Sequence, residues 1–90
     1  MPKYVIERET PGLGEATVEE LREASANSNQ VIAELGPEIS WLESFVTDDK
    51  MYCVYVAPSE DIILEHARCA GIPADRISQV AHVADPSWGE

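Results

Sequence analysis

The sequence predicts an α+β fold: a ferredoxin-like βαββαβ sandwich, with two helices on one face of an antiparallel sheet. Three observations carry that expectation. Strand-like and helix-like stretches alternate as strand, helix, strand, strand, helix, strand over residues 1–90, the length of a single domain. Only Asp48-Asp49 separates the second and third strands, which makes them a hairpin. The third, Lys50 to Ala57, sets Met51, Cys53 and Tyr55 against Tyr52, Val54 and Val56, apolar or aromatic on both sides. A strand of that kind is covered on both faces and belongs in the middle of a sheet.

The elements follow in order. Lys3 to Glu9 alternates Tyr4, Ile6 and Arg8 against Val5, Glu7 and Glu9, with charge entering at its C-terminal end. Thr10-Pro11-Gly12-Leu13-Gly14 is a loop on composition. Its Gly-x-Gly is no phosphate cradle, because it lacks a lysine and lies between Glu9 and Glu15, whose charge opposes an anion. Thr17-Val18-Glu19-Glu20 is a capping box. The helix it opens places Leu21, Ala24, Ser28, Val31, Ile32 and Leu35 at helical spacing and stops at Gly36-Pro37. Ser25, Asn27, Ser28, Asn29 and Gln30 lower its intrinsic propensity, so packing must hold it. The small Ala24, Ser25 and Ser28 would let it lie close to the sheet.

Ile39 to Thr47 is the second strand, with Trp41, Glu43 and Phe45 on one side and Leu42, Ser44 and Val46 on the other. After the third strand, Pro58 breaks the ladder and Ser59 stands at an N-cap, with Glu60 and Asp61 favouring the helix dipole. Ile62, Ile63, His66, Ala67 and Ala70 form the apolar face of that helix, and Gly71 suits its end. The last strand runs from Ile77 to Ala84, and the tail from Ser87 to Glu90 is loose, with Trp88 free to dock on a neighbour. Strands with apolar residues on both sides leave the sheet face away from the helices apolar, and a homodimer packed sheet to sheet would cover it.

Composition narrows the function classes. Seventeen acidic against six basic residues give a net charge of −11, which argues against nucleic acid and anionic membranes as partners. No apolar run approaches the length of a membrane span, and the N-terminus has no signal-peptide core, so a cytoplasmic location is expected. Cys53 and Cys69 have no CxxC pairing and read as reduced, buried thiols.

Nearly the whole sequence, from Lys3 to Pro86, resembles one small bacterial family of unknown function. The residues that carry the resemblance are YVIERETPG, the helix beginning TVEEL with SNQ inside it, the block from ELGPEISW to AGIPADRIS, and the closing VADP. Its most specific part spans VTDDKMYCVYVAP and EHARCAGIPADR. Members of that family have a ferredoxin-like fold and are often described as nickel-binding proteins. The resemblance therefore implies a ferredoxin-like dimer and the binding of nickel, but no active site.

The residues themselves offer few groups with chemistry. His66 lies on the apolar helix face, where it is either a core histidine or a ligand or acid/base group facing a pocket; imidazole suits nickel, copper, zinc and iron. Glu7, Arg8, Tyr52, Cys53 and Tyr55 sit on the two central strands, so some of them approach the helix face and the pocket around His66; alternation alone leaves open which. His82 could hold a metal at the surface with Asp85 or with carboxylates of a second chain. With two histidines and no HxH, HxxxH or CxxC pair, a closed zinc site is not expected. Cys53 has only His66 as a conceivable base and reads as a core thiol. Trp41 reads as packing on the dimer face, with stacking on a ligand as the second reading, and Asp48-Asp49 as a plain polar turn.

Three functions compete. The preferred one is a small cytoplasmic dimer that binds a divalent transition metal, nickel by resemblance, without turnover. The alternative is a cofactor-free enzyme of the dimeric α+β barrel type acting on a small organic molecule around His66. The third is a ligand-binding or regulatory module that uses neither metal nor chemistry.

Overall fold

The order of strands in the sheet decides the architecture. In a computed structural model that describes residues 1–90, β1 (Lys3–Glu9), β2 (Ser40–Val46), β3 (Lys50–Val56) and β4 (Arg76–Gln79) form one sheet in the order β2-β3-β1-β4. Every neighbouring pair is antiparallel. With α1 (Val18–Leu35) and α2 (Glu60–Ala70) between them, this is the ferredoxin-like βαββαβ fold.

Strict alternation in β1 buries Tyr4, Ile6 and Arg8 under the helices and turns Val5 and Glu7 to the other face. The register carries this across the sheet: Ile6 faces Cys53 and Tyr4 faces Tyr55 on the helix side, while Glu7 faces Tyr52 and Val5 faces Val54 on the outer side. The core is Tyr4, Ile6, Ile39, Cys53, Tyr55, Ala57 and Ile63. On the outer face Val5, Tyr52, Val54 and Val56 are half-buried, and Phe45 is 55% exposed.

The capping box forms as expected. Thr17 Oγ1 accepts from the Glu20 amide at 3.1 Å, and Glu20 Oε1 accepts from the Thr17 amide at 3.0 Å. Gly71 closes α2 with φ of 70°, a left-handed conformation that suits a residue without a Cβ. Ser59 occupies the N-cap position of α2, but its side chain makes no capping bond there.

Five expectations are corrected. β2 carries a bulge between Trp41 and Glu43, so its alternation is re-phased: Trp41 pairs with Tyr55, Ser44 with Cys53 and Val46 with Met51, all on the helix side. Trp41 is therefore not on the outer face, which takes Glu43 and Phe45 instead. The last strand ends at Gln79 rather than Ala84. The Val80 amide still donates to the Lys3 carbonyl, but the next residue of the partner strand is Pro2, which has no amide to offer, and residues 81–84 are exposed and unpaired. His82 is consequently on a loop.

The tail is ordered into a short 3-10 turn, Pro86–Gly89, because Asp85 Oδ1 accepts from the Ser87 amide at 2.9 Å. Cys53 is buried but Cys69 is exposed, as it falls on the solvent side of α2. Finally, Ala24, Ser25 and Ser28 do not draw α1 onto the sheet; they border an empty space.

Candidate functional site

That space is a cavity of about 420 Å³. Its floor is the helix side of the sheet, where the register sets Arg8, Cys53, Tyr55, Trp41 and Ser44 side by side. Its roof is the first half of α1, from Glu20 to Ser28, with side chains too small to reach the floor. Thr10, Leu13 and Ala16 close one side, and Ile72-Pro73 after α2 closes another. The loop wall is held by the β2–β3 turn: the Thr10 amide donates to the Asp49 carbonyl at 2.8 Å and the Gly14 amide to the Asp48 carbonyl at 2.9 Å. The Gly12 amide reaches Asp49 Oδ1 at 3.0 Å. Gly14 is required there, because a Cβ would lie 2.9 Å from Asp48 Cα.

A line of polar contacts crosses the floor. Trp41 Nε1 can only donate, and does so to Ser44 Oγ at 2.9 Å; Ser44 then donates to Cys53 Sγ at 3.0 Å. Arg8 Nε also donates to Cys53 Sγ at 3.4 Å. Arg8 Nη2 donates to the Tyr55 hydroxyl at 3.3 Å, and Nη1 to the Pro73 carbonyl. Burial pushes the Tyr55 hydroxyl pKa up, and the Arg8 charge opposes that shift in part.

His66 stands behind this line. It is fully buried, packs edge-on to the Tyr55 ring at 5.3 Å, and shares a 3.0 Å hydrogen bond with Ser28 Oγ through Nε2. Its Nδ1 has no partner. Burial, and then the Arg8 charge, hold its pKa below the ordinary value of 6.5. The imidazole is accordingly neutral at pH 7.

The structure divides the residues expected around His66. Cys53 and Tyr55 line the cavity, and His66 touches it through Ser28. Glu7 and Tyr52 lie on the opposite face, since they pair across β1 and β3 one residue out of phase with Ile6 and Cys53. There Lys50 Nζ reaches Glu7 and Glu9, each at 3.3 Å, and sits 5.8 Å from the Tyr52 ring centroid. Those contacts, Glu9 first, raise the Lys50 pKa. Trp41 and Ser44 are the cavity residues that sequence reasoning did not place there. Arg8, one of the central-strand candidates, could have been assigned to the helix side: it falls in phase with Tyr4 and Ile6 on the strand that precedes the capping box. Trp41 and Ser44 could not, because the bulge that turns them inward leaves no mark in the alternation.

Comparison with known proteins now bears on this geometry. The family model described as "Nickel responsive protein SCO4226-like" matches residues 4–80. The chain belongs to that family. The crystal structure of SCO4226 from Streptomyces coelicolor A3(2) superposes with a TM-score of 0.77, covering 91% of this chain and 99% of the other at 19% identity, which establishes the shared fold. No curated protein matches the sequence.

The family's name makes a nickel ion the natural ligand to test against these side chains. A closed site does not fit: no group of three or more His, Cys, Asp and Glu side chains converges to hold a metal. His66, His82 and Asp85 are not brought together. His66 is sealed in the core with Nε2 engaged by Ser28, while His82 and Asp85 are exposed near the C-terminus, beyond the residues the family model matches. The His82 ring packs edge-on to Trp88 at 6.0 Å, and Asp85 caps the final turn. Exposed carboxylates and one exposed imidazole suit an open site completed by water, which is the only kind of fit this donor set offers a single chain.

Proposed function

We propose that this chain is a small nickel-responsive binding protein of the cytoplasm, which takes up divalent nickel at its surface without catalytic turnover and works as a homodimer. Membership of the nickel-responsive family over residues 4–80 carries the reading. The net charge of −11 favours a cation at any exposed carboxylate, and His82 and Asp85 add an exposed imidazole and an exposed carboxylate three residues apart in the chain. Remaining coordination positions are filled by water or by a second copy. The outer sheet face supports that second copy: Phe45, 55% exposed, shares it with Val5, Val54 and Val56, an apolar surface that a sheet-to-sheet partner would cover.

Calorimetric titration of chelator-treated protein with nickel, then zinc and cobalt, tests the reading, with mass by light scattering before and after. Saturable nickel binding that weakens in His82→Ala or Asp85→Asn, from a particle of dimer mass, is the expected result. Heat no greater than a nonspecific acidic surface gives would overturn it.

The alternative, an enzyme acting on a small organic molecule, draws on the cavity. The contacts there favour binding over turnover: Cys53 Sγ meets Arg8 and Ser44 instead of a base, and His66 is committed to Ser28.

A further inference from the structure

We propose that the cavity between α1 and the sheet binds a small organic monocarboxylate, with its carboxylate on Arg8 and its apolar body under the helix. The argument starts from an imbalance of charge. Arg8 is 2% exposed, yet no carboxylate lies within 4.0 Å of its guanidinium. Its protein partners are all neutral acceptors: a thiol, a hydroxyl and a carbonyl. A guanidinium buried in this way is costly unless an anion joins it. In a chain with 17 acidic residues, none supplies that anion.

The guanidinium also has capacity to spare. Nη1 and Nη2 each use one N–H, on Pro73 and on Tyr55, and each carries a second. A planar carboxylate is the group that two such donors match. The space around them is large enough for a small ligand and is walled by Leu13, Leu21, Met51 and Ile72. The half-buried Trp41 lines it too. Glu20 stands at the rim, where its Oε1 is engaged by the capping box. Its charge at the mouth disfavours a dianion such as phosphate and leaves a monoanion with an apolar tail as the matching occupant. This site is separate from any surface nickel and stands whether or not nickel binds.

Trp41 provides the readout. In a Trp88→Phe background, the full chain is titrated with octanoate, 1-octanol and octylamine while indole fluorescence is followed. Octanoate is expected to saturate the change and to bind about ten- to a hundredfold more tightly than octanol, the effect of hydrogen bonds to a charged group. Octylamine should bind more weakly than either. Arg8→Met should bring octanoate down to the level of octanol. Should Arg8→Met fail to fold, Ser25→Leu fills the cavity from the helix side without touching the guanidinium, and it should abolish binding of both. The proposal is overturned if octanoate gives no saturable change at millimolar concentration, if octanol binds as well, if inorganic phosphate displaces octanoate at equal concentration, or if Ser25→Leu binds octanoate undiminished.

Discussion

Acidification should weaken this fold well above the pH at which carboxylates protonate, and His66 is the reason. Its ring is fully buried, its Nδ1 has no partner, and the Arg8 charge lies close enough to oppose a second cation. The folded-state pKa is therefore below the unfolded value near 6.5. The sign follows from proton counts. Above pH 6.5 both states hold neutral imidazole and stability is at its full value. As pH falls below 6.5 the unfolded chain takes up a proton that the folded chain refuses, and stability declines until the folded pKa is reached. One proton of difference gives a slope of about 1.4 kcal/mol per pH unit at most. With a urea dependence of roughly 1 kcal/mol/M for a small domain, the midpoint should drop by roughly 1 M urea per pH unit. The assay is urea unfolding at pH 7.5, 6.5 and 5.5 at a single protein concentration, since any dimer would shift the midpoint with concentration. His66→Gln keeps a polar partner for Ser28 and cannot titrate, so its midpoint should stay level across that range. His82→Ala should retain the wild-type slope. Equal slopes in wild type and His66→Gln would refute the reasoning. The exposed Glu20 and Glu65, whose pKa values are held below 4.5 by Thr17 and by Arg68, contribute stability that is lost only below that pH, so their effect does not overlap the window.

Three further outcomes are expected. Ile63→Ala removes a fully buried side chain between α2 and the sheet and should cost about 2–5 kcal/mol, read from the urea midpoint; a change below 1 kcal/mol would mean α2 does not seal the core. Gly14→Ala places a Cβ 2.7 Å from Asp48 Oδ1 and 2.9 Å from Asp48 Cα, so the cavity's loop wall must move; lower stability and altered Trp41 fluorescence are expected, and an unchanged spectrum would contradict the contact. With a thiol reagent at neutral pH, one equivalent from Cys69 should react in the native state and the second, Cys53, only after unfolding; two fast equivalents would place Cys53 at the surface.

Sequence pattern and structure agree where one local rule decides. β1 is read to the residue, because alternation and the following Pro-Gly loop set both ends. The capping box fixes the start of α1, and Gly36 and Gly71 fix the helix ends. What could not be read depends on contacts between distant segments. β4 looks long by composition, but its length is set by where β1 begins, some seventy residues earlier, and Pro2 ends the pairing. The Asp48-Asp49 turn looks like a simple hairpin, yet it also accepts the amides of Thr10, Gly12 and Gly14. Of the residues grouped around His66, Cys53 and Tyr55 face the helices while Glu7 and Tyr52 face away, a parity that only the ladder fixes. The cavity itself was the least legible feature, because small side chains on a helix are equally suited to close packing and to leaving a gap.

The bulge in β2 gives the pairing register at one position a disproportionate effect. Downstream of it, Ser44 and Val46 point under the helices and Phe45 points away; upstream, Trp41 also points under them. Pairing Leu42 instead of Trp41 with Tyr55 would restore regular pleating with every residue retained and rotate Trp41 to the outer side, if the rest of the strand held its place. The indole would leave the cavity wall and join Phe45 on the exposed sheet. A one-residue slip of pairing here would thus transfer aromatic surface from the cavity wall to the outer face while leaving composition unchanged. Loss of Leu42 by deletion would instead keep Trp41 opposite Tyr55, so the pairing of this strand, not its length, decides what the sheet encloses and what it exposes.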